Sequence, residues 1–146
     1  MQPVKTIVDT AWTDIQSRFA ALATDAELPV PVFARGAADW FSRMKYPAMF
    51  LTIDYVAQET ESMLGENLSV VLNLVIVHTA SKPEKLETEM TEYIDAMLKL
   101  IRDDHTFGGA CQIGEFVASD LYAGAQDGRD LSIAIITLRL RKEVEI

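Results

Sequence analysis

The chain has 146 residues, with 13 Lys and Arg against 22 Asp and Glu, for a formal net charge of −9 and an isoelectric point near 4.6. That balance excludes a general grip on nucleic acid, because phosphate binding needs a basic surface. The single cysteine, Cys111, excludes an internal disulfide and a cysteine-based zinc cluster, and the length suits one domain that needs no such staple.

The segment from Val4 to Leu22 reads as a helix. Val4, Val8, Ala11, Ile15, Phe19 and Leu22 recur at spacings of three and four, and Trp12 borders the stripe. Thr24-Asp25 and the prolines at 29 and 31 end it and force an extended connection. Within Phe33–Met44, Asp39–Met44 fits a short helix or an ordered loop equally, and Trp40 and Phe41 point different ways. One of them is a core residue on this reading, and the other is available to a partner.

Ala48–Val56 has the length and residue types of a strand. The polar, acidic stretch Ala57–Asn67 then reads as a long hairpin loop, with the apolar pair Met63 and Leu64 at its tip, placed against another subunit or packed on the loop itself. The run Leu68–Thr79 is a long strand, apolar on both faces. One face is expected to meet the chain's own helices, and the other a second sheet or a second copy of the chain. Ser81 with Glu84 marks a capping box, and Pro83 opens an amphipathic helix to Arg102. Leu86, Met90, Tyr93, Ile94, Met97 and Ile101 form its apolar stripe. Cys111–Leu121 and Asp130–Val144 are the last two strands, joined by a polar turn containing Gly124 and Gly128. The order helix, strand, strand, helix, strand, strand predicts an α+β fold: a four-stranded antiparallel sheet with helices on one face, in a single domain over residues 1–146.

No catalytic motif emerges. Asp103-Asp104-His105 is the best metal-like cluster, but adjacent residues do not converge on one ion. Glu84, Glu87 and Glu89 read as a solvated helix face, Cys111 as a small buried hydrophobe, and Gly108-Gly109 matches no phosphate loop. Arg139 and Arg141 belong to a basic run that is either a solvated strand end or a partner for the acidic Glu59–Glu66 loop of another subunit. No run is apolar enough for a signal peptide or a membrane span, so the expectation is a soluble intracellular protein.

The order of these elements resembles that of the tail terminator, or tail-completion, proteins of long-tailed bacteriophages and prophages. The resemblance is carried by the first amphipathic helix, Tyr46–Ile53 entering a strand, the polar hairpin loop, the strand Leu68–Thr79, the helix Pro83–Arg102 and the closing hairpin Gln112–Arg141. The Phe33–Met44 segment has no counterpart in it. The resemblance implies a subunit of a homo-hexameric ring, without catalysis or cofactor. The ring caps the tail tube, stops its growth and faces the head-proximal connector. It would be assembled in the host bacterial cytoplasm and carried in the virion, with no membrane and no sequence-specific nucleic acid as partners. Trp40, Met63, Leu64, Arg139 and Arg141 are the candidate subunit-interface residues. The alternative is a stand-alone α+β module that binds a small molecule or catalyses an unassigned reaction.

Overall fold

A computed structural model describes residues 3–25, 28–30, 32–36, 46–60, 65–80, 83–126 and 129–145. Two helices and five strands follow the order α1 (Pro3–Asp25), β1 (Val32–Arg35), β2 (Ala48–Thr60), β3 (Gly65–Ala80), α2 (Pro83–Asp103), β4 (Ile113–Gln126) and β5 (Arg129–Glu145). The strands form one sheet in the spatial order β1-β2-β3-β5-β4. β2, β3, β5 and β4 are antiparallel to their neighbours, whereas β1 runs parallel to β2.

The expected four-stranded antiparallel sheet is therefore wrong, and so is the order α-β-β-α-β-β. The sheet is five-stranded and mixed, and a short strand precedes β2. β1 has only four residues, too few to show a period, and its flanking prolines signalled extension without pairing. Tertiary contacts hold it in place. Phe33 meets Trp12 of α1 edge-to-face, with ring centroids 5.8 Å apart, and Arg35 reaches Asp9 of α1 at 3.0 Å.

The region read as a loop, Ala57–Asn67, is also mostly strand. Ala57 pairs with Ser69, and the ladder continues to Thr60 opposite Glu66, leaving only 61–64 between the strands. Helices of 21 and 23 residues are roughly 32–35 Å long. Strands of 16 and 17 residues are about 53–56 Å. The sheet therefore projects beyond its helices.

Both helices pack on the same face. Ile7, Val8, Ala11, Ile15 and Phe19 of α1 and Leu86, Met90, Tyr93 and Met97 of α2 bury against Val70, Leu72, Leu74 and Ile76 of β3 and Ile136, Leu138 and Leu140 of β5. The opposite face carries a smaller cluster of Ala48, Phe50, Val75, Val77 and Leu131, with Tyr46, Ile133 and Ile135 beside it. Both faces of β3 are thus buried along its middle.

Arg18 ties the two helices together. It donates to the carboxylate of Asp14 at 2.6 and 3.0 Å, to the carbonyl of Leu100 at 2.7 Å and to that of Asp104 at 3.3 Å, and it lies over the Phe107 ring. A cation at the end of α2 satisfies terminal carbonyls and complements the helix dipole. The turn that follows needs two glycines, Gly108 at φ +71° and Gly109 at φ +88°, and at the start of β4 a Cβ on Gly114 would collide with the Phe107 ring. Asp104 organises this turn by accepting bonds from the Thr106 hydroxyl and from the N–H groups of Thr106 and Gly108, which hold its carboxyl below the usual range.

Replacing Arg18 by Met removes two bonds to carbonyls and strips Asp14 of its partner. We expect a loss of about 2 kcal/mol in stability, or roughly 4–8 °C in melting temperature for a domain of this size. The control Lys5→Ala, which breaks the exposed Lys5–Asp9 pair, should leave the melting curve unchanged. Thermal unfolding followed by circular dichroism checks both.

Candidate assembly surface

The strand order decides which backbone is left unpaired. β4 is the last strand of the sheet, so one edge of its 14 residues has no neighbouring strand among the described residues. At the other side β1 covers only Ala48–Leu51 of β2. From Thr52 to Thr60 the outer edge of β2 is free of any strand among the described residues. A long free edge is a template for pairing with another chain.

Large apolar side chains mark the same two stretches. Ile53, Tyr55 and Val56 on β2 are 43–49% exposed, and Ile113, Val117, Leu121 and Tyr122 on β4 are 46–55% exposed. Register sorts them by face. Ile53 and Val56 oppose Leu72 and Val70, and Leu121 opposes Ala134, so these three share the helix-covered face. Tyr55, Ile113 and Tyr122 lie on the other. A bulge on each strand, at Asp54 and at Val117, makes this division. On the helix side, Leu86 and Met90 of α2 line, with Leu121, a groove of about 320 Å³. Scattered exposed apolar residues are ordinary. Rows of them along two free edges of one sheet are not.

The predicted interface residues divide. Arg139 and Arg141 share the face away from the helices, as period two requires, opposite Val71 and Ser69 of β3. On their other side stands Glu115 of β4, 3.9 Å from Arg139 and 3.8 Å from Arg141. They therefore have an acidic partner within their own chain, over distances that leave the pairing loose and solvent-screened. Trp40, Met63 and Leu64 lie outside the described residues.

A second candidate is a cleft of about 730 Å³ between α2 and the end of β3, where His78, Glu84, Lys85, Glu89, Glu92 and Tyr93 converge. His78 Nε2 pairs with the Glu89 carboxylate, and Lys85 approaches the same carboxylate at 3.7 Å. The Tyr93 hydroxyl donates to the carbonyl of Pro29 at 2.6 Å, and its pKa is pushed up to about 12 by burial and then by Glu89 and Glu92. The Thr88 hydroxyl donates back to the carbonyl of Glu84. The His78–Glu89 pair thus joins α2 to β3 and the Tyr93 hydroxyl joins α2 to the 28–30 segment, whereas the Lys85 and Thr88 contacts stay within α2. Among the described residues His78 Nδ1 is buried without a partner. Sequence reading missed the His78–Glu89 pair because the two sit 11 residues apart on different elements.

Asp103-Asp104-His105 does not converge on an ion, since Asp104 is committed to the turn. Among the described residues no three metal-ligating side chains come together. No described helix is long and apolar enough to cross a membrane. The chain matches no protein-family model and no curated protein.

Cys111 is 6% exposed, and burial pushes its thiol up to about 11, with a further upward push from Asp104. It should resist a chromogenic disulfide reagent at pH 8 in the native state and react at once in denaturant. Rapid native reaction would show an activated thiol instead.

Proposed function

We propose that this chain is a structural subunit that assembles with copies of itself, a ring-forming head-tail joining protein of the tail terminator type. In this reading six copies close a ring that caps a phage tail tube and presents its other surface to the head-proximal connector. The observation that carries it is the pair of apolar-lined edges on opposite sides of one sheet, neither covered by a strand among the described residues. A subunit with two different sticky sides joins the front of one copy to the back of the next, and such contacts close into rings when the rotation permits. The net charge of −9 suits a ring through which DNA slides without adhering, because like charge repels the phosphate backbone. Nothing in this role calls for a cofactor or a catalytic group.

A stand-alone ligand-binding module is the second reading. It draws on the cleft of about 730 Å³ beside His78 and on the Nδ1 of that ring, which has no hydrogen-bond partner among the described residues.

Light scattering after size exclusion, over a hundredfold range of concentration, separates the two. The ring reading predicts a discrete species near six times the 16.2 kDa chain mass. A monomer at every concentration contradicts it and favours the module. A ladder of growing filaments would support front-to-back joining and contradict closure.

A further inference from the structure

We propose that the joint between copies is a strand pairing: β4 of one copy adds, antiparallel, to the Thr52–Thr60 stretch of β2 in the next. This rests on the self-assembly reading above and names the surface that performs it.

Strand polarity comes first. β2 and β5 run in one direction, β3 and β4 in the other. The two free edges therefore have opposite polarity. A copy placed alongside with the same orientation brings β4 against β2 as an antiparallel pair, and the sheet continues with all helices on one side. β1 fixes where this can happen, because it already occupies Ala48–Leu51, and among the described residues no strand lies on the outer edge of β2 from Thr52 to Thr60.

The side chains agree with that arrangement. Register sets Leu121 level with Met49 and Ile53 level with Phe116, so a copy slid along the strand from Met49 to Ile53 brings Ile53 and Val56 beside Leu121 of the next and the groove of Leu86 and Met90. On the other side Tyr55 comes into the row of Ile113 and Tyr122. Cross-strand apolar and aromatic pairs of this kind stabilise a strand joint, and the ladder bonds add to them.

Charge disfavours the competing arrangement, a two-fold pairing of β4 with itself. β4 holds the acids Glu115 and Asp120 on one face and no cation. A two-fold axis would confront these acids with their own copies. On β2 the row Thr52, Tyr55 and Ala57 is uncharged, but the exposed Asp54 stands at the bulge between Thr52 and Tyr55, so the front-to-back joint avoids only part of that repulsion. Arg139 and Arg141, one strand in, already offset Glu115. The bulges at Asp54 and Val117 restrict which registers fit, and this limits pairing with unrelated strands.

Two doubly substituted chains test the joint, one with Ile53→Lys and Val56→Lys, the other with Val117→Lys and Leu121→Lys. Their solution masses are compared with wild type at a concentration where wild type is assembled. All four residues are about half exposed, so folding should survive, and circular dichroism checks it. The single variants Tyr55→Lys and Tyr122→Lys replace any double that fails to fold. Each edge variant alone should be a monomer. An equimolar mixture should give dimers and nothing larger, because each partner keeps one intact edge. If both variants assemble as wild type does, the joint lies elsewhere and only the self-assembly reading survives. If the β2 variant stays dimeric while the β4 variant is a monomer and the mixture forms no new dimer, β4 pairs with itself and the front-to-back joint is wrong. A wild type that is monomeric throughout removes both.

Discussion

A ladder of strands longer than its helical cover is the constraint from which the rest of this structure follows. α1 and α2 can roof roughly ten residues of each strand, and there they bury Leu72, Leu74 and Ile76 completely. Beyond the roof the β2–β3 ribbon and the end of β5 continue as paired backbone. The backbone bonds along the ribbon are satisfied within the chain. The outer edges of β2 beyond Leu51 and of β4 meet no strand among the described residues, and they carry apolar side chains that the helices leave half exposed.

The central region shows why this arrangement holds together. β3 and β5 pair over 16 consecutive positions, from Gly65–Glu145 to Ala80–Asp130, without a break in register. Both bulges fall on the flanking strands β2 and β4. The regular pair is the spine, and irregularity is confined to the strands whose outer edges are free. The Thr137 hydroxyl bonds Asn73 across this spine at 3.1 Å, which lets a polar pair interrupt an otherwise apolar face. Arg18 and the Asp104 turn then lock the helices at the end where β4 begins, and His78 with Glu89 ties α2 to β3 at the other.

Much of the fold was legible because periodicity is a local property. The stripes of α1 and α2 and the alternation of β3 and β5 reflect burial against one face, and the structure places these residues in its core. β1 was illegible because Val32–Arg35 is held by Trp12, Asp9 and the edge of β2, none of which is near it in sequence. The extension of β2 and β3 through Ala57–Thr60 and Gly65–Asn67 was misread for a related reason. The stretch is polar and acidic, without apolar alternation, so it resembles a loop. At the candidate surface, the shared face of Arg139 and Arg141 follows from period two, but their partner Glu115 depends on the register of β4. Ile53, Tyr55, Val117, Leu121 and Tyr122 looked like ordinary strand residues. Whether a strand is central or at an edge is decided by topology, and no single strand's sequence records it.

The most direct measurement is hydrogen exchange, residue by residue, on dilute monomer and on assembled protein. If the free edges are the joints, amides along β4 that exchange freely in the monomer, and those in Thr52–Thr60, should slow together as the mass rises, while the β3–β5 spine stays protected in both states. Assembled protein whose β4 and β2 edge amides exchange as fast as those of the monomer would contradict the account.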